Sequence, residues 1–69
     1  MMAEIIDARG LRCPWPVLRL AKALREGAGP VTIVADDPIA PGEIAAFAAE
    51  RGLSAVALET SIGAGFLVG

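Results

Sequence analysis

The chain has 69 residues, a net charge of −2 and 55% hydrophobic residues. That length allows one domain, spanning residues 1–69, with a thin core that buries roughly 60% of the surface its unfolded chain exposes. The apolar content excludes a disordered chain, and no run reaches the ~18 apolar residues of a transmembrane helix. The start, "MMAEIIDARG", lacks the basic residues and long apolar stretch of a signal peptide. Cys13 is the only cysteine, so an internal disulfide is impossible and a reducing cytoplasm is the expected location.

Charge is spread unevenly. Residues 1–26 carry five basic groups (Arg9, Arg12, Arg19, Lys22, Arg25) against Glu4, Asp7 and Glu26, a balance of +2. Residues 27–69 carry Arg51 against Asp36, Asp37, Glu43, Glu50 and Glu59, a balance of −4. The net negative charge argues against direct nucleic-acid binding.

In chain order, "AEIID" reads as a short strand ending at a turn-like "ARG". Residues 14–25 place Val17, Leu20, Ala21 and Leu24 at helical spacing, with Gly27 as the C-cap. "PVTIVA" is β-branched and predicts a buried strand over Val31–Ala35. "DDPIAPGE" is a loop leading into a second helix, with Pro41 at the first helical position and Glu43 in the first turn. Ile44, Phe47 and Ala48 form that helix's apolar stripe, and Gly52 ends it. "SAVALET" predicts a strand over about 55–60, "SIGAG" a hairpin turn and "FLV" a short last strand. The order β-α-β-α-β-β predicts an α+β, two-layer α/β sandwich, with a four-stranded mixed sheet and both helices on one face. The first two strands should be parallel with a right-handed crossover.

The candidate site is "GLRCPWPVL", residues 10–18. With Cys13 at the N-cap, Pro14 is the first helical residue and Pro16 the third, positions whose N–H groups have no intrahelical partner. A residue before proline is extended, as a cap must be. Cysteine caps poorly compared with Ser, Asp, Asn or Thr, which points to a use for the thiol other than helix stability. The helix N-terminus, adjacent Arg12 and an approaching Arg9 predict a modest lowering of the thiol pKa, with Trp15 supplying the nearest backbone N–H. The competing reading is a buried cysteine acting as apolar filler.

The chain has no histidine, no tyrosine and no second cysteine. A Cys-His nucleophile pair and a dithiol cycle are therefore unavailable. One cysteine with scattered carboxylates makes no zinc site. Asp36 and Asp37 could touch one hard cation, but they better suit the turn before Pro38. What remains is a thiol that accepts a group from one protein and hands it to another. Trp15, Arg19 and Lys22 share a helix face at i, i+4 and i+7 and form a candidate docking stripe. The plainer alternatives are a Trp15–Arg19 surface pair with cation–π character and a Lys22–Glu26 pair.

These residues resemble the TusA/SirA-like family of small sulfur-carrier proteins, which share a Cys-Pro-x-Pro motif at the start of the first helix. Asp7, Gly10, Leu11, Cys13, Pro14, Pro16 and Leu24 fall in the family order, as do "VADDP" and Ile44, Phe47 and Gly52. The resemblance covers essentially the whole chain. It implies a persulfide sulfur on Cys13 as a transient covalent intermediate, with no resident cofactor or metal. Gly10, Arg12, Pro14 and Pro16 would support the thiol loop. The implied partners are a cysteine desulfurase or rhodanese-like donor and a downstream acceptor protein, in tRNA thiolation, molybdenum-cofactor maturation or sulfur metabolism. The protein would act as a sulfurtransferase-type carrier dependent on partner enzymes, without membrane association. Trp15 between the prolines and a C-terminus without basic residues depart from the common pattern. A regulatory or interaction module with an incidental thiol is the alternative function, and a self-sufficient thiol enzyme or peroxidase the third.

Overall fold

The structure, a computed structural model, describes residues 5–27 and 29–69. The elements are β1 (Ile5–Asp7), α1 (Trp15–Glu26), β2 (Val31–Val34), α2 (Ala40–Glu50), β3 (Ala55–Thr60) and β4 (Gly63–Val68). The expected order and fold class hold. The first strand covers the end of "AEIID"; Ala3 and Glu4 lie outside the described residues.

The four strands form one sheet in the order β1-β2-β4-β3. β1 runs parallel to β2, with Ile6 beside Ile33. β4 runs antiparallel to both β2 and β3. Ile33 pairs with Phe66, and Phe66 with Ala57, so all three share one face of the sheet. Ile33 belongs to a buried cluster with Leu20 of α1 and Ile44 and Ala48 of α2, which identifies that face as the helix-covered one. Leu20, Ile33, Ile44 and Val68 are at most 1% exposed. Each such side chain contributes roughly 1.5–3 kcal/mol of burial, a large share for a domain this small.

The helix boundaries shift by one residue from expectation. α1 begins at Trp15 with Pro14 at its N-cap, and Gly27 is the C-cap as predicted. α2 begins at Ala40, so Pro41 is its second residue, and Glu43 lies in its first turn. Gly52 closes α2 with paired bonds: its N–H donates to the Ala49 carbonyl, and the Leu53 N–H reaches back to Ala48 at 2.8 Å.

The last strand is longer than the predicted "FLV". Gly63 pairs directly with Thr60, so the hairpin loop is only Ser61–Ile62 and the "GAG" segment lies inside β4. Thr60 Oγ1 donates to the Gly63 carbonyl at 2.7 Å and accepts the Ile62 N–H. Turn chemistry suggested a wide glycine loop, but Gly65 serves a close approach instead. A Cβ there would stand 2.5 Å from the Ile33 carbonyl oxygen and 2.9 Å from Val34 Cγ2. Val34 occupies the space that a side chain at 65 would need.

Two glycine substitutions of opposite sign check this packing. Gly65→Ala is expected to destabilise the fold by about 1–3 kcal/mol through overpacking. Gly42→Ala, in α2 where a Cβ meets nothing within 4 Å, is expected to stabilise it by about 0.5–1 kcal/mol. Urea unfolding midpoints of the two variants measure both.

Candidate functional site

The parallel strands β1 and β2 end on the same side of the sheet, and their loops, residues 8–14 and 35–39, meet there. Ala8 extends the pairing by donating its N–H to the Val34 carbonyl at 2.8 Å, and its side chain is fully buried. From Arg9 onward the first loop is held by side chains of the second. The Gly10 N–H donates to Asp36 Oδ1 at 2.8 Å. The Cys13 N–H donates to Asp37 Oδ2 at 2.9 Å. Gly10 takes a left-handed φ of +82°, which suits glycine at this bend. Asp37 also receives the Ile39 N–H on Oδ1, and its carbonyl accepts the Ala40 N–H at 3.0 Å. One carboxylate therefore starts α2 and fixes the backbone of the thiol residue.

This assigns Asp36 and Asp37 a role that sequence reasoning missed. The turn before Pro38 is present, but both side chains also reach across to the cysteine loop. A pair of adjacent carboxylates opposite a glycine-containing loop was the only available signal. Among the described residues no group of three or more metal-ligating side chains is gathered.

Cys13 stands one residue before the N-cap of α1, not at it, and the Cys13–Pro14 peptide is cis. Pro14 is the cap residue and Pro16 the second helical residue, where it is buried. The Trp15 N–H is taken by the Arg12 carbonyl at 2.9 Å, so it is not available to the thiol. The expected lowering of the thiol pKa is not found. Cys13 is half-buried and packs on the core cluster, and this desolvation pushes its pKa up. The negative charges of Asp37 and Glu43 push it further in the same direction. Arg9 does not approach the thiol. It pairs with Asp7 at 2.8 Å and reaches the Ile62 carbonyl of the hairpin. That pairing and the Arg9 backbone N–H hold the Asp7 carboxyl down at about 2. The thiol thus combines both sequence readings, with one side against the core and the other facing a cleft of about 720 Å³ lined by Gly10, Arg12, Asp36, Asp37 and Ile39.

Trp15, Arg19 and Lys22 are all exposed along α1, Trp15 by 58%. Leu18 joins them at 50% exposure; the sequence reading placed it in neither the apolar stripe of α1 nor the docking stripe. Among the described residues the cation–π contact is Arg51 over Phe47, at 4.6 Å, not Trp15 with Arg19. Among the described residues the ion pair is Asp7–Arg9, not Lys22–Glu26. No helix among the described residues is long and apolar enough to cross a membrane.

The four-stranded α+β sandwich thus holds its thiol residue on the loop where its two parallel strands end. The family model of sulfurtransferase TusA matches residues 4–67, and the chain belongs to that family. Two proteins of Neisseria meningitidis, from serogroups A and B, are each 41% identical over 54 residues, which span 75% of this chain and 73% of theirs. Both are named as candidate sulfur carrier proteins. The crystal structure of a SirA-like protein from Desulfitobacterium hafniense superposes with a TM-score of 0.77 at 34% identity, covering 93% of this chain and 90% of that one.

The carboxylate anchor makes the site sensitive to acid. Hydrogen bonds from Ile39 and Cys13 hold the Asp37 pKa below its ordinary value, which is about 3.9. A group depressed in the fold contributes stability that is complete above the unfolded value and is lost as pH falls through the folded one. Stability is therefore expected to drop between about pH 4 and pH 2, where Asp7 also titrates. Asp37→Asn should lose less stability across that window. Urea midpoints measured at several pH values check this.

Proposed function

We propose that this protein is a sulfur carrier in which Cys13 holds the travelling sulfur as a persulfide. A cysteine desulfurase or rhodanese-like protein presents its own cysteine persulfide. The Cys13 thiolate attacks the outer sulfur, a new S–S bond forms at Cys13, and the donor's S–S bond breaks. The donor cysteine leaves as a thiolate and takes up the proton that Cys13 releases. No oxidant enters, because sulfur moves at the same oxidation level. An acceptor nucleophile then attacks the outer sulfur of Cys13 and regenerates the thiol. The acceptor is a protein of a sulfur-relay route such as tRNA thiolation, molybdenum-cofactor maturation or sulfur metabolism.

The observation that carries this reading is the setting of Cys13. It is the only thiol in a chain without histidine, on a loop anchored by Asp36 and Asp37 and facing an open cleft. Its raised pKa supports a carrier that is quiet when alone. At neutral pH the free protein holds the protonated thiol, and only the thiolate is a competent nucleophile. A partner that brings positive charge over Asp37 and Glu43 would release the proton where transfer occurs. The exposed Trp15, Leu18, Arg19 and Lys22 run along α1 from its N-terminal end and would form the docking surface for such partners.

Incubation with a cysteine desulfurase, pyridoxal phosphate and free cysteine, followed by intact-protein mass spectrometry, tests the reading. The expected outcome is a gain of one sulfur atom that a reductant removes and that Cys13→Ser does not acquire. Trp15→Ala should slow loading from the protein donor by about tenfold. No sulfur gain with desulfurase or rhodanese donors would overturn the carrier assignment.

A further inference from the structure

We propose that the outer edge of β3 receives an extended segment of a partner protein. The segment adds as a fifth strand, and its large apolar side chain, with a Lys or Arg two residues away, sits in the hollow beside Ala57. Three observations lead there. First, the strand order leaves β3 at the margin of the sheet, and no strand among the described residues covers its outer side. Edge strands are ordinarily protected by proline, charged side chains, a bulge or shortness. β3 is six residues, Ala55-Val56-Ala57-Leu58-Glu59-Thr60, with no proline or bulge, an unbroken register against β4, and Glu59 as its single charge. Val56 is 54% exposed.

Second, the helices do not reach the far end of the hairpin. Ala57 and Ala64 lie on the helix-covered face by register, yet both are exposed. Between them, Ala35, Pro41 and Phe66 bound an apolar hollow of about 400 Å³. A strand paired to β3 would project alternate side chains on that face.

Third, size and charge choose the occupant. A second copy pairing through its own β3 would offer Ala55, Ala57 and Glu59 to this face, side chains too small to fill the hollow and, at Glu59, of the wrong sign. Glu59 lines the hollow itself, so a basic residue two positions from the apolar anchor is complementary. This site is separate from the cleft at Cys13 and does not depend on the thiol.

The test is a titration of the full-length ¹⁵N-labelled protein with the peptide acetyl-Thr-Phe-Thr-Lys-Thr-Val-amide, followed by amide chemical shifts. The expected shifts centre on residues 55–60, with Ala35 and Phe66 responding. Replacing the peptide's Phe by Ala, or Ala57 by Trp in the protein, should weaken binding by about tenfold. Glu59→Lys should reverse the preference so that a peptide with Glu in place of Lys binds better. No shifts at millimolar peptide, shifts confined to α1, or unchanged affinity in a folded Ala57→Trp protein would overturn the proposal. So would β3 shifts that follow protein concentration without peptide, because they would mean that a second copy takes the edge.

Discussion

Asp36 and Asp37 extend from the end of β2 and grip the backbone of the opposite loop at Gly10 and Cys13. Asp37 accepts the half-buried Cys13 N–H, which would otherwise lack a partner, and Asp36 accepts the exposed Gly10 N–H. Asp37 goes further and orders the start of α2 through Ile39 and Ala40. One side chain thus ties the thiol loop, the second helix and the sheet together. The same choice sets the chemistry, because the charge that orients the cysteine also disfavours its thiolate.

This arrangement differs from a thiol activated by a helix N-terminus. The two prolines, the early position of Cys13 and the capture of the Trp15 N–H by Arg12 leave the thiol without a backbone donor from the helix. Its neighbours are core atoms and carboxylates. A carrier gains from this, since a protonated thiol resists stray oxidants and off-partner exchange. In the function proposed above, activation would belong to the complex with a partner rather than to the free chain.

Most of the fold was legible in the sequence, because apolar periodicity marks α1 and α2 and a β-branched run marks β2. Gly27 and Gly52 marked the helix ends, Gly52 in the left-handed conformation usual there and Gly27 in an extended one. The helix starts were displaced by one residue because proline tolerates several first-turn positions, so "CPWP" fits more than one register. The hairpin was misjudged because glycine has two uses that look alike in sequence. Gly65 is small to admit Val34, not to turn the chain. At the site, Cys13 and its prolines were legible from composition and motif. The partnership of Asp36 and Asp37 with Gly10 and Cys13 was not, because it joins residues about 24–26 positions apart through side-chain geometry. The sign of the thiol shift was missed for the same reason: it comes first from burial of Cys13 against the core and then from Asp37 and Glu43. Sequence neighbours such as Arg12 suggested positive surroundings, while the fold supplies negative ones.

Asp37 positions Cys13, and its charge adds to burial in keeping the thiol protonated. The most direct test is the pH dependence of Cys13 alkylation in the native protein and in Asp37→Asn. The native midpoint is expected above the ordinary thiol value of about 8.5 and the variant's below the native one, with α1 and the sheet intact by circular dichroism. A native midpoint below that value, or one that Asp37→Asn leaves unmoved, would contradict it.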